Sequence, residues 1–168
     1  MKRWTPLDIA QIGLLAALIT VAGFFKIPSG IPGSDFQLSA PLAVAIAGVF
    51  GFRRYITAGI LSSLVLFFLG IHNLLNVEIA MVFRFVAGGL VALLGTSLPV
   101  LLLAGPIGSV TARWVLSLTL GVEAWPLLLA AIPGMVFTAI AVWPLYKLLQ
   151  RVKHTSGGSL SYVRKSSL

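Results

Sequence analysis

The chain contains no cysteine, so disulfides, thiolate nucleophiles and cysteine-ligated metals are excluded at the outset. Histidines number two and acidic residues four, which leaves little material for acid–base or metal chemistry. Charge of either sign is scarce: only 10% of the 168 residues are charged, against a hydrophobic content of 58%. That is too little polar surface to coat a soluble globule of this length. Lipid is the solvent that fits. Segments alternating apolar and polar with period two over ~10 residues are missing as well, which excludes a closed transmembrane barrel.

What is present is a series of apolar runs: Ile9–Phe25, Leu38–Phe50, Ile56–Ile71, Ile79–Leu94, Leu98–Leu120 and Trp125–Leu149. Most approach the ~20 residues that a helix needs to cross ~30 Å of hydrocarbon. The expected fold class is all-α, a polytopic bundle of about six transmembrane helices. The second run is short and the fifth carries Gly105-Pro106, so a five-span or re-entrant alternative stays open. Met1-Lys2-Arg3 ahead of an apolar stretch mimics a secretory signal, but no A-x-A-type site follows; a retained first helix is expected.

The net charge of +8 falls on one side of this scheme. Lys2, Arg3, Arg53, Arg54, Lys147, Arg151, Lys153, Arg164 and Lys165 lie at one face, and Lys26, Asp35, Glu78 and Glu123 at the other. The bias of Lys and Arg sets topology, so both termini are expected in the cytoplasm, with an even number of spans in a plasma-membrane protein. The basic excess reads as a topology signal with attraction to anionic membrane lipid, not as a nucleic-acid surface, because no aromatic residues interleave these charges. Residues 1–153 are expected to form the transmembrane domain. The Ser/Gly-rich and basic stretch 154–168 cannot bury a core and is expected to be a flexible cytoplasmic tail.

On the outer side, Lys26 to Asp35 is rich in Pro and Gly yet retains Ile27 and Ile31. Such a loop either caps an outward-opening cavity, with those isoleucines as its apolar underside, or serves as a plain connector. His72, Asn73, Asn76 and Glu78 form a second polar cluster, whose spacing does not make a metal-ligand set. No metal or other cofactor is expected.

Two arginines fall inside the apolar runs. With the fourth helix starting near Val77, Arg84 and Arg113 each lie about seven residues, or ~10 Å, below an outer helix end. An intramembrane arginine costs ~2.5–3.5 kcal/mol on the insertion scale, so both should turn away from lipid. Ser109, Arg113 and Ser117 share one helix face, as do Ala80, Arg84 and Gly88. The functional reading is a guanidinium fork for a carboxylate or phosphate on a solute. The structural reading pairs the arginines with Glu78 or Glu123, or lets them snorkel. Trp125 either lines the same cavity or sits in the aromatic belt, and Pro133-Gly134 bends the sixth helix at a similar depth.

Helix one presents Ala10, Gly13 and Ala17 on a broad stripe with Ala16 and Thr20 beside it, a small-xxx-small pattern that allows close helix approach. Gly59 and Ser63 repeat it on helix three, and Gly88, Ala92 and Gly95 on helix four. The stripe on helix one serves either packing within the bundle or a partner subunit. No nucleophile-plus-base constellation is present, so catalytic residues are not assigned. No internal repeat supports a self-sufficient carrier, although a stand-alone carrier and a passive membrane scaffold remain rival readings.

Taken together, the Ala-rich Ile9 to Leu18 helix, the Phe25-Lys26-Ile27-Pro28 exit into a Pro/Gly loop and the Arg84-Phe85-Val86-Ala87-Gly88-Gly89 segment resemble the substrate-binding S components of energy-coupling factor vitamin transporters. The resemblance covers the chain to about Tyr146 and is architectural first. It implies capture of a small, vitamin-like, anionic solute at the outer face, by Arg84, Arg113, Ser109, Ser117, Gly88 and Trp125. It also implies delivery with a coupling transmembrane subunit and two cytoplasmic ATPases, with no nucleotide site on this chain; indeed no G-x-x-x-x-G-K-[ST] loop occurs. It assigns Ala10, Gly13, Ala16 and Ala17 to contact with the coupling subunit, and the first loop, with Ile27, Ile31 and Asp35, to gating. The Lys26-Ile27-Pro28 region is similar to biotin-binding members, but their Gly-rich middle segment is missing, so biotin is not assigned. Metal-ion members are disfavoured because the amino terminus bears no histidine.

Overall fold

Each apolar run folds as one helix in the computed structural model, which describes residues 5–28 and 35–165. The elements are α1 (Pro6–Phe24), β1 (Lys26–Pro28), β2 (Asp35–Gln37), α2 (Ser39–Phe50), α3 (Phe52–Phe68), α4 (Leu74–Leu94), α5 (Leu98–Leu120) and α6 (Ala124–Lys165). Local chemistry sets the starts. Thr5 and Asp8 form a reciprocal capping box ahead of Pro6, and the Asn73 side chain accepts from the Asn76 amide at 2.9 Å to open α4. Pro106 does not break α5, so the fifth run is one continuous helix and gives no ground for a re-entrant segment, whereas the second run is as short as the sequence indicates, twelve residues, and keeps the five-span or re-entrant alternative open there. The helical backbone of α6 continues through the residues assigned to the tail, as far as Lys165.

Helices α1, α4, α5 and α6 are each long and apolar enough to cross a membrane. The outer surface of the bundle carries large apolar side chains with no cover, among them Leu14 on α1, Phe68 on α3, Leu93 on α4 and Ile140 on α6. A soluble protein would bury these; a bilayer solvates them. The protein is a multi-pass helical membrane protein.

Helix α2 is the exception, and the other five helices pack around it. Its sequence is almost all small or β-branched, and Val44, Ala45 and Ile46 are completely buried. Twelve residues rise only about 18 Å, so α2 alone does not cross the hydrocarbon. The chain reaches its start through a two-stranded antiparallel ribbon, in which Lys26 pairs with Gln37, Ile27 with Phe36 and Pro28 with Asp35. This ribbon is the one addition to the all-helical expectation among the described residues, and β2 rests against α6.

The basic end of the bundle is tied by its charges. Arg54 donates twice to Asp8, from Nε at 3.1 Å and Nη2 at 2.5 Å, linking α3 to α1. Lys153 donates to the Val49 carbonyl at 2.6 Å and lies 5.6 Å from the Phe50 ring, so α6 covers the C-terminal end of α2. At the opposite end, Thr119 donates to Glu78 at 2.5 Å and holds the outer ends of α4 and α5 together.

Candidate functional site: a cavity with two arginines

The shortness of α2 leaves space above its N-terminal end. A cavity of about 270 Å³ opens there, with walls from α1, α3, α4, α5 and α6 and with Gln37 of β2 at its rim. Ser39, Ala40 and Ala43 form its base, and no side chain caps the first turn of α2. The positive end of a short helix therefore points into the cavity, as in discontinuous membrane helices that face anionic groups.

Arg84 and Arg113 both line this space. Arg84 is only 6% exposed, and its guanidinium donates to the Ser63 hydroxyl of α3. Among the described residues no carboxylate reaches Arg84: Glu78 is engaged by Thr119, and Glu123 is exposed in the turn between α5 and α6. Because α4 begins at Leu74, not near Val77, Arg84 sits ten residues in, about 15 Å deep, whereas Arg113 keeps its expected place seven residues from the end of α5. The arginines thus occupy two levels, the deeper one near the base.

The structure brings Arg84, Arg113 and Ser109 to the cavity together with Ala80. Ser117, Gly88 and Trp125 lie elsewhere. Ser117 is buried one turn further out, where it donates to the Trp114 carbonyl at 2.7 Å. Gly88 is one turn deeper, against the ring of Tyr55: a Cβ there would come within 2.6 Å of Tyr55 Cε1. Trp125 is 68% exposed at the start of α6, the belt position of its alternative reading.

Four polar residues at the cavity are not among the solute-binding residues expected from the sequence: Gln37, Ser39, and His72 and Asn76 of the second polar cluster. Asn76 had a signal, since Asn76, Ala80 and Arg84 continue one face of α4 upward at i, i+4 and i+8. Gln37 and Ser39 sit where a strand gives way to a helix, and no periodicity marks them. On α6, Gly134 and Thr138 line the wall below Pro133, whose missing N–H leaves the helix free to bend there.

Of the expected gating residues, Ile27 and Asp35 lie in the backbone of the ribbon beside the cavity, and Ile31 falls outside the described residues. Of the expected partner contacts, Ala10, Gly13 and Ala17 are exposed on the outer face of α1, with nothing within 4 Å of a Cβ at Gly13, while Ala16 is buried against the bundle. No group of three or more metal-ligating side chains occurs among the described residues.

The chain is thus an integral membrane protein of packed helices around a cavity of about 270 Å³ that two arginines line. No family model and no solved structure matches the chain. It is 58% identical over 158 residues to Protein BioX of Lysinibacillus sphaericus, covering 94% of this chain and 95% of that one. The chain belongs to the BioX family.

Proposed function

We propose that this protein is the membrane-embedded capture component for uptake of a small, vitamin-like carboxylate. The observation that carries the reading is the presence of both intramembrane arginines, with the N-terminal end of α2, around one cavity. Guanidinium groups bind carboxylates through paired, charge-assisted hydrogen bonds. Arg84 grips the carboxylate near the base, Ser109 and Arg113 flank the solute above it, and Asn76 and Gln37 offer amide groups to its far end. A volume of about 270 Å³ lies just below the ~300–1,000 Å³ of ordinary ligand sites, which favours a solute with a compact head and a thin tail.

Biotin is the solute to test first. It has an apolar tail ending in a carboxylate, the Lys26-Ile27-Pro28 segment resembles biotin-binding members of the vitamin transporters, and the relative at 58% identity bears the name BioX. Recognition of its ring would rest on this chain's own amides, because the Gly-rich segment of those members is missing. Energy would come from outside the chain, through a coupling transmembrane subunit docked on the exposed Ala10, Gly13 and Ala17 and two cytoplasmic ATPases. The orientation follows the basic residues, with the cavity facing outward and both termini in the cytoplasm of a plasma-membrane protein. Calorimetry of the purified protein in lipid nanodiscs with biotin tests the reading; saturable binding that competing free carboxylates of similar length weaken is the expected result. Absence of binding for biotin and for every such carboxylate overturns it.

A further inference from the structure

The face of α3 towards α4 carries Tyr55, Gly59 and Ser63 at successive turns, and α4 answers with Gly88 and Arg84. The two helices run antiparallel, so the partners match in order: the Tyr55 ring fills the space over Gly88, the stem of Arg84 crosses Gly59, and its guanidinium reaches Ser63. The fit at Gly59 is close. A Cβ there would stand 2.5 Å from Arg84 Cδ and 2.7 Å from Nε, so even alanine would displace the side chain. Ser63 is 1% exposed and does not line the cavity, whereas the guanidinium it holds does.

From this we infer that Gly59 and Ser63 are positioning residues for the solute's anionic group. They aim Arg84 at the cavity without touching the solute. An arginine has several rotatable bonds, and an unheld one would lose that freedom at the moment of binding; a stem laid in a glycine groove and a nitrogen tied to a buried hydroxyl have lost it beforehand. The remaining guanidinium N–H groups stay directed to the cavity, where a carboxylate accepts them. The small residues of α3 are therefore there for a side chain, not for close helix contact.

The inference rests on the proposed carboxylate site, and two measurements separate the two ideas. The first needs no solute. Butanedione modifies accessible guanidiniums, and mass spectrometry of the detergent-solubilised protein reads the rate at Arg84 against Arg113 as an internal reference. Ser63→Ala should raise the Arg84 to Arg113 rate ratio at least threefold, and Ser63→Thr should return it to the wild-type value. An unchanged ratio in Ser63→Ala overturns the inference whatever the solute is. The second measurement compares binding of biotin and its neutral primary amide. Ser63→Ala and Gly59→Ala should each weaken the acid about tenfold and leave the amide unchanged, with the empty Ser63→Ala protein melting as the wild type does. Equal loss for acid and amide would show that Ser63 only packs the bundle and overturns its positioning role. A raised labelling ratio with no biotin binding in the wild type upholds the seat for Arg84 and overturns only the choice of solute.

Discussion

Replacing Arg84 by methionine separates a solute clamp from a structural cation. Methionine keeps much of the apolar reach over Gly59 and removes the guanidinium. In the empty protein Arg84 is a buried cation held by the neutral Ser63, with no carboxylate partner among the described residues. Its removal orphans no anion and relieves a buried charge that has no counter-charge; the loss is one charge-assisted hydrogen bond of about 1.5–3 kcal/mol, offset by relief of desolvation. The empty Arg84→Met protein should thus melt within a few degrees of wild type, or higher. Binding should respond differently. Hydrogen bonds from a charged donor to a carboxylate are worth about 1.5–3 kcal/mol, which converts to a loss of roughly 10- to 150-fold in Kd. Lysine should rescue poorly, since it lacks the planar fork. Differential scanning fluorimetry and calorimetry on the same nanodisc preparations read both quantities. A melting point lowered by more than roughly 8 °C, the equivalent of over ~2 kcal/mol, with unchanged Kd would refute the clamp and make Arg84 structural.

Tyr55 and helix α1 give two further tests. The Tyr55 hydroxyl is fully buried with no hydrogen-bond partner among the described residues, so Tyr55→Phe should leave the melting temperature unchanged or raise it; a fall beyond about 4 °C would show that the hydroxyl is satisfied in the membrane. Because open space surrounds Gly13, Gly13→Leu should preserve folding and biotin binding while abolishing uptake and co-purification of ATPase subunits; loss of binding in the purified variant would place Gly13 in the bundle's own packing.

The helices were legible because lipid demands long apolar runs and the polar breaks between them are few. The start of α4 is masked by its composition: Asn73 to Glu78 resembles a loop, yet Asn73 is an N-cap and the polar residues after it already belong to the helix. The ribbon at the cavity mouth left no trace, since three-residue strands are too short to show a period. Arg84, Arg113 and Ser109 could be found because a charge among apolar residues has to face inward and carries its helix face with it. How far along that face the cavity extends was not readable. Asn76 lies in the direction not followed, and Ser117 and Gly88 mark where the face passes into packing. Ser63 and Gly59 were visible only as a spacing, because their relation to Arg84 depends on the register between two helices, which no single-helix pattern encodes.

The enclosure of α2 also bears on how the chain is made. A twelve-residue helix with small side chains has little hold on a bilayer by itself, yet α6, which covers one of its sides and supplies Lys153 to its end, is synthesised only after α3, α4 and α5. Until then the nascent chain must keep α2 sheltered by α1 and α3, or beside the insertion machinery. Premature stops or slow mutations in α6 would therefore expose the centre of the bundle to quality-control proteases, and damage far from the cavity would be seen in the cell as missing protein rather than as weak binding.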